Sequence, residues 1–340
     1  MLPLYVSSPG LSIGLCLLSA RTLTGARGKC SGPLLLHKQM EFPEFSAVPV
    51  QQLSIGGFRV DMLRTDQLHP HYGGNKWFKL KYNLQMALAR GYEGVLSAGG
   101  PWSNHLHALA YAGKDLGLRT IGLVRGEEPA RWSDTLRDCS SCGMELVFVS
   151  REFYRLLGTE DMKAWIRERF GHMLVVPEGG SNFAGINGCM ELVPASLHRS
   201  YDLVVLAAGT GATAAGLRLS LPPSVRIWAI PVLKGVGYMA GLVENHLTDY
   251  LGDREVAAEL MRGVHVDERW HFGGYGRFNE DLLSLIRSAQ EELDLPLDQV
   301  YTGKMWFGLL RMILNDEMPA NTRVLAIHTG GLQGKRSLKW

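Results

Sequence analysis

Short runs of apolar residues alternate, from residue 58 onward, with longer stretches whose apolar positions recur at helical spacing. Continuous apolar runs are typical of strands that are buried on both faces of a parallel sheet. Eight short apolar segments, most of them continuous runs, predict strands at 58–63, 94–97, 120–124, 146–149, 173–176, 203–207, 225–230 and 324–328. The helical spacing predicts helices at 76–90, 104–116, 153–170, 185–197, 213–219, 236–251, 279–292 and 303–315. This order predicts an α/β fold with doubly wound parallel sheets and right-handed crossovers.

Glycine-bearing loops follow four of the predicted strands, at 97–104, 177–182, 207–213 and 328–331. In open parallel sheets, ligands bind beyond the carboxyl ends of the strands, where the chain turns into a helix. We therefore expect the functional residues of this protein in these loops.

The third of these loops has a sequence that suits a phosphate group. Its residues are Gly209, Thr210, Gly211, Ala212 and Thr213, and they lead into a predicted helix. Small residues let backbone amides close on an anion at a helix N-terminus, and threonine hydroxyls add donors. The loop lacks the ending of a P-loop, and it does not follow the first strand, where a dinucleotide fingerprint belongs. The favoured interpretation is a single phosphate, as on a small cofactor; a turn that is glycine-rich for steric reasons is the alternative.

Lys76 begins the first predicted helix, directly after two glycines and an asparagine. A helix N-terminus disfavours a positive charge, so a lysine at this position is favoured as the neutral amine. The neutral amine is the nucleophile that forms a Schiff base with a carbonyl group. A solvated basic helix face, shared with Lys79, is the alternative.

Ser103 follows the first glycine-bearing loop and has two interpretations. As the residue before the helix predicted at 104–116, it is typical of a helix N-cap. In a pocket that holds an imine-forming lysine, its hydroxyl would instead bind a substrate carboxylate or relay a proton.

Composition and charge narrow the class of protein and its partners. The 340 residues exceed the usual size of a single domain, and 46% hydrophobic with 20% charged residues is ordinary for a soluble enzyme. The 35 basic and 33 acidic residues leave a net charge of +2, which disfavours nucleic-acid and membrane partners. We therefore expect a cytoplasmic enzyme that acts on a small molecule.

The first 40 residues differ from the rest of the chain because they contain no Asp or Glu. The apolar run at 11–20 is too short to span a bilayer, and no positive charge precedes it as in a signal peptide. We predict that residues 1–39 form a poorly ordered extension, and a transit-like leader is the alternative.

Cys139 and Cys142 form a C-x-x-C pair among five scattered cysteines. A second cysteine pair or a histidine pair does not accompany them, which disfavours a zinc site. We predict half-buried thiols at the end of a helix, and a redox dithiol is the alternative.

Five motifs in register resemble the 1-aminocyclopropane-1-carboxylate deaminase/D-cysteine desulfhydrase family. They lie at 73–80, 97–104, 209–213, 301–304 and 328–331, within a resemblance that runs from about residue 45 to about residue 335. That family consists of pyridoxal-phosphate enzymes of fold type II, the tryptophan-synthase β-like group. The resemblance implies pyridoxal 5′-phosphate as the cofactor and a homodimer. It also implies a large cofactor-binding domain at 40–84 and 181–340, and a small α/β domain at 85–180.

The resemblance implies which residues hold the cofactor. Lys76 would carry it as a Schiff base, and Asn104 would hydrogen-bond its phenolic oxygen. Lys79 and the loop at 209–213 would bind its phosphate, and Tyr301 would pack against its pyridine ring.

Other residues implied by the resemblance concern the substrate, which Ser103 and Tyr275 would face. Thr302 would face the pyridine nitrogen where the cyclopropane deaminases have glutamate, and Thr329 replaces their leucine. A glutamate holds the ring as a pyridinium, a strong electron sink, whereas a neutral hydroxyl suits a substrate with a good leaving group. Both threonines resemble the D-cysteine desulfhydrase branch. Trp102 departs from the family's usual glutamine and would reshape the carboxylate end of the pocket.

Together these residues predict a lyase that performs α,β-elimination on a small amino acid, a D-amino acid such as D-cysteine. Lys76 would remove the Cα proton, and the products would be pyruvate, ammonia and sulfide. Ring-opening deamination of 1-aminocyclopropane-1-carboxylate is the alternative within the family. A non-catalytic α/β protein that binds a phosphate or nucleotide is the alternative outside it.

Overall fold

The computed structural model describes residues 42, 43, 45 and 47–337. The extension predicted at 1–39 lies outside these residues. Among the residues that are described, no helix has the length and apolar character needed to cross a membrane.

Two sheets organise the described part of the chain, and most neighbouring strands are parallel. The strands are β1 (Val50–Ile55), β2 (Phe58–Leu63), β3 (Gly94–Gly99), β4 (Arg119–Arg125), β5 (Glu145–Val149), β6 (Met173–Val176), β7 (Leu203–Ala208), β8 (Arg226–Pro231), β9 (Val264–Val266) and β10 (Val324–Ile327). One sheet has the order β1-β2-β10-β7-β8-β9 and the other has the order β5-β4-β3-β6. The pair β1 and β2 is antiparallel, and the remaining pairs within these sheets are parallel.

Helices connect the strands. They are α1 (Asn75–Ala89), α2 (Asn104–Asp115), α3 (Asp134–Ser141), α4 (Arg151–Tyr154), α5 (Glu160–Phe170), α6 (Phe183–Cys189), α7 (Ala212–Ser220), α8 (Tyr238–Leu251), α9 (Arg254–Met261), α10 (Glu280–Leu293) and α11 (Thr302–Leu314). Short 3₁₀ turns lie at Thr65–Gln67, Glu178–Gly180, Ala195–Leu197, Glu268–Trp270 and Leu332–Ser337. The alternation of strands and helices confirms the α/β class predicted from the sequence.

Burial on both faces explains why the apolar runs form strands. All six residues of β7 are buried, and its side chains enter two separate apolar clusters. Val204 and Leu206 belong to one cluster, whereas Val205 and Ala207 belong to the other. Successive strand residues point to opposite faces, so helices pack on both sides of the sheet, as a doubly wound fold requires.

The strands come from separate stretches of the chain. The four-stranded sheet lies within residues 94–176, whereas the six-stranded sheet takes its strands from residues 50–63 and 203–327. The domain boundaries at residues 84 and 180 stay a prediction.

Several predicted elements differ from the structure. The helix predicted at 153–170 is two helices, because Gly158 has a φ of +93° and Thr159 caps a new helix, α5. The helix predicted at 185–197 ends at Cys189, and Pro194 precedes the 3₁₀ turn that follows. The sequence pattern also missed β1, β9 and α9. Of the six β1 residues only Leu53 is buried, so this strand has no continuous apolar run.

The C-x-x-C pair lies at the end of α3. Cys139 is buried and Cys142, at the C-terminal cap, is partly buried. Burial raises the pKa of Cys139 to about 12 and also raises the pKa of Cys142. Both thiols therefore stay protonated at neutral pH, which agrees with the predicted half-buried thiols and makes them poor nucleophiles.

Candidate active site

A cavity of about 770 Å³ lies at the carboxyl ends of strands from both sheets. Its walls come from the loops that follow β3, β4, β6, β7, β8 and β10, together with the first turn of α1. This is the position that the glycine-bearing loops predicted for a ligand.

Most of the residues singled out in the sequence line this cavity. They are Lys76, Lys79, Ser103, Asn104, Gly209, Thr210, Gly211, Thr213, Tyr275, Tyr301 and Thr329. Trp102, the departure from the resembling family, lines it as well. Ala212 and Thr302 are described by the structure but do not reach the cavity wall.

Lys76 contributes an amine that is held in place by its neighbours. Its Nζ donates to Asn75 Oδ1 over 3.1 Å and lies 5.9 Å from the centre of the Tyr301 ring. Asn75 is fixed in turn, because its Nδ2 donates to Thr213 Oγ1 over 3.0 Å. Burial, followed by the nearby charge of Lys79, lowers the pKa of Lys76 to about 7. A large share of this amine is therefore neutral at neutral pH and able to act as a nucleophile.

The start of α1 is packed directly on the loop that follows β10. Gly74 has a φ of +92°, and a Cβ atom at this position would clash with the carbonyl oxygen of Thr329. The backbone amide of Asn75 donates to the same carbonyl over 3.2 Å. Glycine alone permits this approach, so Gly74 sets where Lys76 enters the cavity.

Lys79 and the start of α7 form a group of donors one turn away from Lys76. Lys79 is only 2% exposed, and its Nζ donates to Thr210 Oγ1 over 3.1 Å. Ser181 Oγ donates to the same oxygen over 2.6 Å. Gly211 is the N-cap of α7, and within the described residues no side chain caps this helix. The uncapped backbone amides and the buried ammonium group suit an anion of the size of a phosphate.

Two tyrosine rings line the cavity beside this loop. Tyr275 and Tyr301 meet edge to face, with 6.1 Å between the ring centres. A Cβ atom at Gly209 would lie 3.1 Å from the Tyr301 ring, so glycine keeps space next to the ring. Burial raises the pKa of both tyrosines, which keeps their hydroxyls protonated. Such a wall suits a flat aromatic ligand.

Thr302 is fully buried, and its hydroxyl faces Asp298. Thr302 Oγ1 donates to Asp298 Oδ1 over 2.6 Å and accepts from the backbone amide of Asp298 over 2.8 Å. The Asp298 carboxylate also accepts from the backbone amides of Val300, Tyr301 and Thr302. The single hydroxyl proton of Thr302 is thus used within this helix cap. Sequence reasoning missed this contact, because Asp298 stands outside the recognised motifs.

Ser103 takes the position of a helix N-cap and lines the cavity as well. Its Oγ accepts from the backbone amide of Leu106 over 3.2 Å. The structural and the functional interpretation of this serine are therefore compatible.

His105 is a cavity residue that the sequence reasoning missed, although it directly follows Ser103 and Asn104. It is 2% exposed, and its Nε2 is hydrogen-bonded to Ser97 Oγ over 2.9 Å. Burial, followed by the charges of the two cavity lysines, lowers its pKa well below the ordinary value. The ring is therefore neutral.

Charged residues at the ends of other strands were missed too. Arg125 is the last residue of β4, Glu178 follows β6, and Lys234 follows β8, and all three line the cavity. The guanidinium group of Arg125 lies 5.4 Å from the centre of the Tyr154 ring. The rule that ligands bind beyond strand ends already pointed to the loop at 177–182, which contains Glu178, although that residue was not singled out. Applied to every strand, it would have found Arg125 and Lys234 as well.

Comparison with known proteins identifies the family of the chain that forms this cavity. Residues 57–330 match a family described as pyridoxal-phosphate dependent enzyme. The chain belongs to this family. The expected class of enzyme and its cofactor are thereby confirmed.

Relatives of this pyridoxal-phosphate-dependent enzyme share most of its length. It is 31% identical over 289 residues to a Pyrococcus horikoshii protein named "Putative 1-aminocyclopropane-1-carboxylate deaminase", with 82% of this chain and 86% of the relative covered. It is 30% identical over 287 residues to the 1-aminocyclopropane-1-carboxylate deaminase of Ralstonia pickettii, with 77% and 82% covered. The crystal structure of an ACC deaminase homologue matches with a TM-score of 0.70 and 30% identity, covering 87% of this chain and 92% of that one. These matches confirm the resemblance and fold type II.

The cavity of this pyridoxal-phosphate-dependent enzyme fits its cofactor group by group. The Lys76 amine suits the aldehyde, because its lowered pKa leaves a large share of it neutral at neutral pH. Lys79 and the uncapped start of α7 suit the phosphate. The space that Gly209 leaves beside Tyr301 suits the pyridine ring.

Proposed function

We propose that this enzyme is a lyase that releases ammonia from a small amino acid, with Lys76 as the residue that holds pyridoxal phosphate. The observation that carries the proposal is the Lys76 amine, whose pKa is lowered to about 7 in a cavity that also contains a phosphate-sized donor group. When bound, the cofactor supplies an electron sink for the electrons of a substrate Cα–H bond.

In this proposal, the chain's own residues bind the cofactor, orient the substrate and transfer a proton. Lys79 and the start of α7 bind the phosphate group, and Asn104 donates to the phenolic oxygen. Ser103 donates its hydroxyl proton to the substrate carboxylate, and Tyr275 faces the substrate beside it. Lys76 Nζ, once displaced by the substrate amine, takes the proton from Cα.

The names of the relatives support 1-aminocyclopropane-1-carboxylate as the substrate. The reported curated relatives and the solved structure with 30% identity are all named as deaminases of this acid or as a homologue of one. These names support the ring-opening reaction better than they support D-cysteine, the substrate favoured by the sequence. Ring opening is therefore kept as a candidate reaction beside the β-elimination that the sequence favoured.

The geometry at the start of α11 favours β-elimination. The hydroxyl proton of Thr302 is given to Asp298, so this side chain does not donate to the pyridine nitrogen. An unprotonated ring is the weaker electron sink, and opening a cyclopropane ring offers no leaving group that takes up charge. In elimination, the Cα–H and Cβ–S or Cβ–Cl bonds break, a Cα=Cβ bond forms, and thiolate or chloride leaves with its electron pair. Water then releases pyruvate and ammonia.

An assay of the 2-oxo acid products separates the two reactions. Purified holoenzyme is incubated with β-chloro-D-alanine, D-cysteine, their L-enantiomers and 1-aminocyclopropane-1-carboxylate. We expect pyruvate from at least one β-substituted alanine, with the D-enantiomer preferred. Faster release of 2-oxobutanoate from the cyclopropane acid than of pyruvate from every alanine derivative would overturn elimination and favour the activity named for the relatives.

The resemblance also implies a homodimer, and composition and charge led to the expectation of a cytoplasmic enzyme; both points stay predictions. A holoenzyme mass in solution near twice the 37.6 kDa of one chain is the result expected for the dimer.

A further inference from the structure

A second cavity, of about 230 Å³, lies behind the candidate active site. Gly330 borders both cavities, so the loop after β10 is part of the wall between them. Asn104 lines the active-site cavity and Gln333 lines the second one. The two side chains meet across this wall, where Gln333 Nε2 donates to Asn104 Oδ1.

The Asn104 amide is confined on its other side by the same loop. Gly331 has a φ of +87°, and a Cβ atom at this position would clash with Asn104 Nδ2. The asparagine nitrogen therefore lies directly against the glycine backbone. A side chain at position 331 would push the amide out of place.

The turn that carries Gln333 is anchored through the residues that follow Gln333. This 3₁₀ turn, Leu332–Ser337, is linked to α3 through an ion pair between Arg336 and Asp138. Gln299 Nε2 donates to the Gly334 carbonyl over 3.1 Å and to Ser337 Oγ over 2.9 Å. These contacts hold the backbone of Gln333 in a fixed place behind Asn104.

We propose that Gln333 is a positioning residue that orients the Asn104 amide, so that its nitrogen and not its oxygen is presented to the cofactor. An asparagine amide has one acceptor and two donors, and a half-turn of the side chain exchanges them. With Gln333 donating to Oδ1, rotation of the Asn104 amide alone would set two donors against each other, so both amides would have to rotate together to exchange the groups. This inference rests on the proposed function, in which Asn104 donates to the phenolic oxygen.

Two variants of the holoenzyme separate orientation from packing. Gln333→Glu presents an acceptor to Asn104 and favours the rotated amide, whereas Gln333→Met keeps the size and removes the hydrogen bond. Donation to the ionised phenolic oxygen favours loss of the cofactor's proton. We expect the pH midpoint of the visible absorption band of the lysine-bound cofactor to rise by about one unit in Gln333→Glu and by less in Gln333→Met. We also expect a fall in kcat of about tenfold in Gln333→Glu, with a smaller change in KM.

Two controls distinguish this role from a structural one. Ser337→Ala alters the same turn without touching Asn104, and it should leave the pH midpoint unchanged. In an Asn104→Ala background, Gln333→Glu should cause no further shift, because the effect passes through the asparagine.

Two results would overturn the inference: an unchanged midpoint in both Gln333 variants, or a shift of the same size when Asn104 is absent. Failure of the proposed function gives a different result, since the wild-type holoenzyme would then release 2-oxo acid from none of the amino acids tested. The spectrum thus reports on Gln333 independently of the substrate.

Discussion

Helices α7 and α11 are two of the helices that begin near the cavity, and their first turns are satisfied in different ways. At α7, Gly211 provides no side-chain cap, and the described residues offer none in its place. At α11, the carboxylate of Asp298 accepts from three backbone amides and from the Thr302 hydroxyl. A helix N-terminus carries a partial positive charge, which the protein's own anion satisfies at α11 and which stays available to a ligand's anion at α7. The open start of α7, together with the buried Lys79 beside it, supports the phosphate assignment better than glycine content alone.

The largest effect is expected at Lys76, in the first turn of α1. Lys76→Ala removes the amine but leaves α7 unchanged. We expect that borohydride no longer fixes the cofactor to the chain and that kcat falls about a thousandfold or more. Non-covalent binding of the cofactor through its phosphate should be retained. Peptide mapping after reduction tests the assignment. An adduct on Lys79 or Lys304 would contradict it.

The second-largest effect is expected when α7 is given a carboxylate at its start, as α11 has in Asp298. Gly211→Asp places a carboxylate at the uncapped start, where it competes with the phosphate by charge and by bulk. We expect the dissociation constant of the cofactor to rise about a hundredfold or more, as measured by titration of the apoenzyme.

Gly211→Asn is the matched control, because it has nearly the same size, tolerates a positive φ and carries no charge. A much smaller loss of affinity in Gly211→Asn shows that charge is the cause. Equal cofactor affinity in the wild type and in a folded Gly211→Asp variant would show that the start of α7 does not bind the phosphate.

The rate at which the apoenzyme takes up the cofactor is expected to change about tenfold between pH 6 and pH 8. Burial lowers the pKa of Lys76 to about 7, so the amine is mostly protonated at pH 6 and mostly neutral at pH 8. The rate of adduct formation by the apoenzyme should rise about tenfold over this interval and then level off. Lys79→Gln removes a neighbouring charge and should move the midpoint upward. A rate that rises steadily to pH 10 would show an ordinary lysine.

The smallest effect on cofactor affinity is expected at the start of α11, which Asp298 caps. Asp298→Asn weakens the cap of α11, so we expect the thermal midpoint to fall by several degrees, for a loss of roughly 1–3 kcal/mol. Cofactor affinity should change less than about threefold, because this end does not bind the phosphate. A large loss of affinity at unchanged stability would show that Asp298 belongs to the binding site.

Features encoded in contiguous residues were predictable from the sequence. Lys76 and the loop at 209–213 each combine a strand end, glycines and a helix start within a few positions, and the structure brings both to one cavity. The continuous apolar runs also predicted the buried strands, because burial on both faces requires them.

Features that depend on contacts between distant residues were not predictable. The hydroxyl of Thr302 was expected near the cofactor, but Asp298 binds it and turns it away from the cavity wall. The edge strand β1 lacks an apolar run because its antiparallel pairing with β2 leaves most of it partly exposed. Arg125 carries no local signal beyond its place at the end of a strand.

Ser103 caps a helix and faces the cavity with the same oxygen atom. A hydroxyl has lone pairs to accept with and a single hydrogen to give. The amide of Leu106 uses a lone pair, so the hydrogen is left for the cavity. The hydroxyl keeps its hydrogen for the cavity together with its second lone pair, so it is able to donate to a carboxylate. Replacing it removes two hydrogen bonds at once, so in an alanine variant weaker substrate binding and a loosened first turn of α2 would be inseparable.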